Sequence, residues 1–295
     1  MKTFKVRLSK AIVLLTMIFT GAQLSAQTDG ILWKVSGNGL TKPSYLFGTI
    51  HLYCNPENLL TQPLVDAAKA SDVVAMELNL NDYNTLVALY TSSMAPVKKT
   101  LSEILTKAQY KTVDSAIRVV LKDSISTYNA KSPVAMMGYL YGSNDIIGCS
   151  QPMPVDFSIA QLAKQLGKET YGLESFEFQD SILKAIPDSI QVKWLMDFCG
   201  NISEAKKEFS DFISSYDAQS SSKLYHLSVT VSPEFELYKD LLLTDRNNSW
   251  VNFLKENMKS YAIFTAVGAG HLGGDDGLLA QLKKAGYTLT PIAIK

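Results

Sequence analysis

The sequence predicts an α/β fold whose central sheet is mainly parallel, is built from both ends of the chain and carries a large helical insertion. Short apolar runs typical of strands occur in the first third of the chain, near residue 170 and at the C-terminus. Long segments with helical spacing of apolar residues separate these runs. Because no Gly-, Pro- or Ser-rich linker divides residues 27–295, we expect them to form a single domain.

The first third of the chain contains a strand–helix–strand unit. Its predicted elements are strands at 31–35 and 44–49, a helix at 63–70 and a strand at 72–78. The sequence Gly37-Asn38-Gly39 predicts a turn between the first two strands. A strand, a helix and a further strand in this order favour parallel pairing through a right-handed crossover.

The rest of the chain alternates between helical segments and single strands. The predicted elements are helical segments over 82–141, 156–166 and 176–258, strands at 169–173 and 261–267, a last helix before Gly286 and a final strand at 287–294. Asp156 is a candidate N-cap of the second of these helices, and Asp275 or Asp276 of the last one.

The N-terminus has the three parts of a secretory signal peptide. Four basic residues among the first ten are followed by an apolar run at 11–20 and by small residues before Ala26. The apolar run is too short for a transmembrane anchor, which needs about 20 residues. We therefore predict that residues 1–26 are cleaved off and that the mature chain, which has no membrane span, is exported to the periplasm or out of the cell.

The composition is that of a globular protein with little net charge. The chain is 46% hydrophobic and 19% charged, which excludes a mostly disordered protein. Its 28 basic residues balance 28 acidic ones. The charged residues among residues 1–26 are all basic, so the mature chain that is left after their removal is mildly acidic. Because sequence-independent binding to nucleic acid needs a basic face, a nucleic acid partner is not expected.

Cys54, Cys149 and Cys199 are an odd number of cysteines for an exported protein. At most one disulfide can form within the chain. None of the three lies in a Cys-x-x-Cys motif, so we interpret them as small buried side chains that activity does not need. The alternative is a nucleophile or metal ligand at Cys54, which follows His51 by three residues.

Four polar residues stand at or just after the C-terminal ends of predicted strands: His51, Glu77, Glu174 and His271. In open α/β sheets this edge is where ligands bind. Both histidines end Gly-x-x-His turns, in which glycine permits a sharp turn and a close approach to a ligand. Two imidazoles and a carboxylate form an open catalytic site for zinc or a similar divalent ion. The alternative is that these groups are hydrogen-bonded structural residues.

Three further polar residues have a structural interpretation, and for two of them a functional one is equally open. Asp156 is either a helix cap or an acid that orients a histidine. Arg246 is either an anion clamp or a buried partner for a carboxylate. His226 has no comparable context, and we interpret it as structural.

Motifs spread over nearly the whole mature chain resemble the TraB/GumN family, which is related to the Tiki membrane-associated metalloproteases. The motifs that carry the resemblance are Gly48-Thr49-Ile50-His51, Met76-Glu77, Asp156, Gly172-Leu173-Glu174, Asp245-Arg246-Asn247 and Val267-Gly268-Ala269-Gly270-His271-Leu272. The resemblance implies a metal-dependent, peptidase-like site at His51, Glu77 and His271, with manganese or cobalt as the expected ion. It also implies kinship with erythromycin-esterase-like and haem-binding ChaN-like proteins. Because no apolar run like the Tiki membrane anchor follows the domain in this sequence, a membrane-tethered substrate is not expected.

These observations together predict an exported metal-dependent hydrolase that acts on peptide or protein substrates. His51, Glu77 and His271 would hold one manganese, cobalt or zinc ion. Glu174 would be the general base or a fourth ligand. The sequence is equally consistent with the reverse assignment, in which Glu174 is the ligand and Glu77 the base. Arg246 would stabilise an anionic intermediate or a substrate carboxylate.

Two other functions stay open. One is a binding protein that holds haem or another ligand without turnover, with His51, Tyr45 or Tyr53 in axial contact. The other is a non-catalytic envelope scaffold in which the polar groups at the strand ends are structural.

Overall fold

The computed structural model describes residues 29–230 and 233–294. The predicted signal peptide, residues 1–26, lies outside the described residues. Within the described part of the chain, no helix is both long enough and apolar enough to cross a membrane.

One six-stranded sheet organises the fold. Its strands are β1 (Leu32–Gly37), β2 (Ser44–Thr49), β3 (Val73–Met76), β4 (Glu169–Gly172), β5 (Ile263–Gly268) and β6 (Tyr287–Ile292). They lie in the order β4-β3-β5-β2-β1-β6. The four strands β4, β3, β5 and β2 are parallel, whereas β1 runs antiparallel between β2 and β6. The prediction of a mainly parallel sheet built from both ends of the chain is confirmed.

The order of the strands departs from the simplest expectation in one respect. β2 and β3 are parallel, as their order along the chain suggests, but they are not neighbours, because β5 lies between them and pairs with both. The C-terminal third of the chain therefore supplies the central strand. This insertion brings the end of β5 next to the ends of β2 and β3.

Helices cover both faces of the sheet. They are α1 (Gln62–Ala70), α8 (Val155–Gln165), α14 (Asp245–Asn257) and α15 (Leu278–Lys284). Phe47 of β2 packs in a buried cluster with residues of α1 and α8, whereas its neighbour Leu46 packs with residues of α14 and α15. All six residues of β2 are buried, as expected for a strand covered on both faces.

A predominantly helical insertion follows β3, and β4 is the one strand among its described residues. Its other helices are α2 (Tyr83–Met94), α3 (Leu101–Ile104), α4 (Lys107–Val120), α5 (Ile125–Tyr128), α6 (Pro133–Tyr141), α7 (Asn144–Ile147), α9 (Phe176–Ala185), α10 (Asp188–Gly200), α11 (Ile202–Asp217), α12 (Ser221–Val229) and α13 (Pro233–Lys239). The apolar residues Val113, Ile117 and Val120 of α4 lie on one helix face and are buried in a second core of the insertion. A π-helical turn, Asp240–Thr244, joins α13 to α14.

Two predicted helix caps differ from the structure. Pro154 is the N-cap residue of α8, and Asp156 lies in the first turn, because its carboxylate is used in contacts with β2 and with the turn after it. Gly277, not Asp275 or Asp276, is the N-cap residue of α15.

Two of the three cysteines are joined. Cys54 and Cys149 form the one disulfide that three cysteines allow, and it links the segment after β2 to the loop after α7. Both residues are only partly buried, so their interpretation as small buried side chains is wrong. Cys199 is a buried free thiol, as predicted. Beside the disulfide, Tyr53 and Met153 form an isolated antiparallel bridge. The segment that follows His51 is therefore tied to the helical insertion by a covalent bond and by hydrogen bonds.

Candidate functional site

A cavity of about 520 Å³ opens at the carboxyl ends of β2, β3 and β5. Its polar wall is formed by the side chains of His51, Glu77, Arg246 and His271. The strand order explains this convergence, because β5 lies between β2 and β3 and the parallel strands end at the same edge. Four of the five predicted site residues therefore line one cavity.

Glu77 follows β3 and is buried. Its Oε1 accepts the backbone N–H of Gly268 at 2.7 Å, and its Oε2 accepts from Nη2 of Arg246 at 2.6 Å. Burial alone would raise the pKa of Glu77, but the positive charge beside it and the Gly268 N–H hold that pKa well below the usual range. Since His271 is neutral, as described next, Arg246 supplies that positive charge.

His271 lies in the short 3₁₀ turn after β5 and is also buried. Its Nδ1 donates to Oδ1 of Asn247 at 2.7 Å, and the amide of Asn247 is itself oriented by its bond to the carbonyl oxygen of Asp276 at 2.9 Å. The lone pair is therefore on Nε2, which accepts from Nη1 of Arg246 at 3.0 Å. Burial lowers the pKa of His271 to about 3, so the imidazole is neutral at physiological pH.

His51 follows β2 and differs from His271 in its exposure. Its Nδ1 lies 3.2 Å from Oδ2 of Asp156, and 75% of its side chain is exposed. Oδ1 of Asp156 accepts from Oγ1 of Thr49 at 2.7 Å. Asp156 raises the pKa of His51, and the exposure of the ring screens that effect. Of the two interpretations of Asp156, the structure shows the acid that orients a histidine.

Arg246 lies in the first turn of α14, directly after the π-helical turn. Its Nη1 donates to the carbonyl oxygen of Leu242 at 3.0 Å, and its guanidinium lies 4.8 Å from the centre of the Trp250 ring. Its remaining donors reach Glu77 and Glu174. Only 11% of the side chain is exposed, so the guanidinium is held as a buried ion-pair partner of two carboxylates.

Glu174 follows β4 and lies behind the cavity wall. Its carboxylate accepts from Nε of Arg246 at 2.9 Å and from Nε2 of Gln179 at 3.1 Å, and 4% of its side chain is exposed. The same Gln179 amide donates to Glu77 at 3.0 Å. Glu174 is absent from the residues that line the cavity. In this arrangement it contacts the site through Arg246 and Gln179.

Sequence reasoning did not identify two residues of this network. Asn247 holds His271, and the signal for it was its position beside Arg246 in the motif Asp245-Arg246-Asn247. Gln179 bridges the two glutamates from α9, and no spacing in the sequence indicates it.

The tyrosines considered for axial contact with haem do not line the cavity. Tyr45 is buried in the core of the sheet, and the hydroxyl of Tyr53 donates to Asp217 at 2.6 Å. His226 lies on α12 and is absent from the cavity wall.

The TraB/PrgY/gumN family matches residues 31–291, which is nearly all of the described chain. The chain belongs to this family. Curated relatives include the protein named metalloprotease TIKI1 from Xenopus tropicalis, which is 23% identical over 89% of this chain and 61% of its own length. The human metalloprotease TIKI1 is 24% identical over 89% of this chain and 62% of its own length. Metalloprotease TIKI2 from Danio rerio is 25% identical over 88% of this chain and 60% of its own length. The chain spans about three fifths of the length of these relatives.

The donors of this TraB/PrgY/gumN site fit a divalent ion by their chemistry. Both imidazoles are bound at Nδ1, which leaves Nε2 for an ion, and Glu77 is an ionised carboxylate. In their present arrangement, however, Oε1 of Glu77 and Nε2 of His271 are 4.0 Å apart and Arg246 contacts both residues. Among residues 29–230 and 233–294, no three His, Cys, Asp or Glu side chains lie close enough together to hold an ion.

Proposed function

We propose that the protein is an exported, metal-dependent hydrolase that cleaves peptide bonds. The observation that carries the proposal is the convergence of two oriented imidazoles, one ionised carboxylate and one guanidinium at a single cavity wall. In the proposal, His51, Glu77 and His271 hold one divalent ion, which is manganese, cobalt or zinc. When bound, such an ion supplies Lewis acidity toward the scissile carbonyl and toward water.

The hydrogen bonds at the site support the roles of the two histidines in this proposal. A metal-bound imidazole generally donates its second N–H to a carboxylate or carbonyl oxygen, which fixes the ring and its tautomer. Asp156 does this for His51 and Asn247 does it for His271. Because the two acceptors come from different helices, α8 and α14, each ring is held from its own side of the sheet edge.

Arg246 is the proposed anion-stabilising residue. Cleavage of a peptide bond passes through a tetrahedral species with a negatively charged oxygen, which a nearby guanidinium stabilises more strongly than it stabilises the uncharged substrate. The cavity wall includes Arg246, so a substrate in the cavity has access to its donors. The same guanidinium suits the terminal carboxylate of a peptide.

Glu174 keeps its proposed role as the proton acceptor only if Arg246 releases it. Both of its carboxylate oxygens accept hydrogen bonds from Arg246. While those bonds persist, Glu174 fixes the position of the guanidinium. The proposal therefore includes a shift of Arg246 away from the glutamates when an ion and a substrate are bound.

The relatives support a peptidase-like chemistry. The curated relatives are named metalloproteases, at identities of 23% to 25%. Export rests on the sequence of residues 1–26, in which a basic segment, an apolar run and small residues follow one another.

The test combines metal analysis with cleavage assays on the purified mature chain. A peptide library is incubated with manganese, cobalt or zinc, and the metal content and absorbance spectrum of the protein are recorded. We expect one ion per chain and metal-dependent cleavage, both lost in His51→Ala and His271→Ala and kept in the matched variant His226→Ala. A protein that binds no ion and cleaves nothing, or that gives a Soret band on haem titration, contradicts the proposal.

A further inference from the structure

The cavity extends well beyond its polar wall and becomes apolar. The part that faces away from the sheet is formed by α6, α11 and α12 of the helical insertion. The apolar side chains that line it are Leu52, Met137, Tyr141, Phe209, Phe212 and Leu227. An apolar compartment next to a small set of polar groups is typical of a site that buries an apolar part of a ligand and orients it by the polar groups.

A second cavity of about 430 Å³ adjoins the first. Met137, Tyr141 and Glu208 line both cavities, so these three side chains form the boundary between them. The second cavity is also lined by apolar residues of α10, including Phe198. We refer to the two adjoining cavities together as the groove, which lies between the sheet edge and α10 of the helical insertion.

Glu208 is the unusual residue of this groove. Two other acidic residues of the second cavity have basic neighbours, because Asp197 pairs with Lys193 at 3.2 Å and Glu204 approaches Lys207 to 3.8 Å. Among the residues that the structure describes, no side chain forms an ion pair or hydrogen bond with Glu208. Its carboxylate is solvent-exposed where the two cavities meet, and it is therefore free to pair with a cationic group of a ligand.

We infer that the groove selects peptides that carry a large apolar side chain next to the scissile bond and a cationic side chain, Lys or Arg, further along. The inference rests on the proposed function, since that places the scissile bond at the polar wall. The apolar side chain fills the compartment between α6 and α11, and the cationic group pairs with Glu208. A peptide satisfies both demands because it presents an apolar group and a charge at a fixed spacing along one extended chain.

A larger side chain at Gly138 should block the apolar compartment without disturbing the fold. Gly138 lines the first cavity on α6, and a Cβ atom built at this position meets nothing within 4 Å. Gly138→Leu therefore extends a side chain into the groove without a clash in the fold, and it replaces a poor helix former. The matched control is Gly200→Leu at the end of α10, where a Cβ atom also meets nothing within 4 Å and which lines neither cavity.

Glu208→Gln tests the charge. The matched control is Asp211→Asn, which removes a charge from the same helix, α11, at a position that lines neither cavity. Binding is measured by fluorescence anisotropy in the presence of a chelator, so that no turnover is needed. The probes are labelled pentapeptides with Phe or Ala at the centre and Lys or Glu two residues later.

We expect the Phe–Lys peptide to bind most tightly. Gly138→Leu should weaken its binding at least tenfold, and Glu208→Gln should weaken it about fivefold while leaving the Phe–Glu peptide unchanged or tighter, as for a partly exposed charge pair. Both control variants should bind like the wild type. Equal binding of all four peptides, or Gly138→Leu binding like the wild type, overturns the inference.

Two other outcomes separate this inference from the proposed function. Selective binding of the Phe–Lys peptide without cleavage under any metal condition refutes the hydrolase and leaves the groove as a peptide site. Cleavage at equal rates whichever side chains occupy these two peptide positions supports the hydrolase and refutes the inferred selectivity of the groove. Displacement of the peptide by dodecylamine at a lower concentration than by unlabelled peptide assigns the groove to an alkyl ligand and also refutes the inference.

Discussion

Replacement of Arg246 by Met should destabilise the protein more than any other single change at the site. The guanidinium donates to two carboxylates whose side chains are 10% exposed for Glu77 and 4% for Glu174. In Arg246→Met both carboxylates stay buried and face each other without their shared cation. Removal of one partner from a buried ion pair typically costs about 3–5 kcal/mol, because it leaves an uncompensated buried charge.

The loss is measured by urea unfolding of the mature chain, followed by tryptophan fluorescence and circular dichroism. For a chain of this size, about 3–5 kcal/mol corresponds to a fall in Tm of roughly 6–20 °C. The control is Arg118→Met, since Arg118 pairs with Asp114 at 2.7 Å but is 62% exposed. A surface pair of this kind contributes about 0–1 kcal/mol. If Arg246→Met loses no more stability than Arg118→Met, the buried cation is not what holds these carboxylates together.

The same variant tests whether an ion and the guanidinium use the same carboxylate. If the proposed ion binds Glu77, it substitutes for the missing positive charge, and added manganese should raise the Tm of Arg246→Met more than that of the wild type. The effect should disappear in Arg246→Met combined with Glu77→Gln. An equal Tm shift in wild type and Arg246→Met would place the ion away from this carboxylate.

Further predictions concern the two glutamates, the acid on α8 and the disulfide. Glu77→Gln should lower metal occupancy and activity together, whereas Glu174→Gln should keep the ion and lower kcat by about 10²–10⁴-fold; full metal content and full activity in both would exclude the carboxylates from the chemistry. Asp156→Asn should weaken metal binding about 10–100-fold at unchanged Tm, and unaltered affinity would contradict its role in orienting the ring. The double variant Cys54→Ser and Cys149→Ser should lose about 2–5 kcal/mol of stability and retain activity at 25 °C, because the bridge closes a loop with a sequence separation of 95 residues; loss of activity in a folded variant would contradict this.

The three residues proposed from sequence as metal ligands could be singled out because each stands at a sharp change of pattern. His51 and His271 follow apolar strands and close Gly-x-x-His turns, and Glu77 follows the apolar strand β3. Such signals are local, since a few neighbouring residues decide whether a segment is a strand and where it ends. The α/β fold and the mainly parallel sheet followed from the same local patterns, without knowledge of which strands are neighbours.

The arrangement of the site depends on contacts between distant residues, which no local pattern encodes. The insertion of β5 between β2 and β3 brings His271 beside Glu77, and Arg246 reaches both from a helix that begins with Asp245. The sequence by itself determined which residues end the strands. Only the tertiary structure decided that Arg246 lies between the carboxylates, because a buried guanidinium is held there by ion pairs and hydrogen bonds that form only when the sheet and helices have packed.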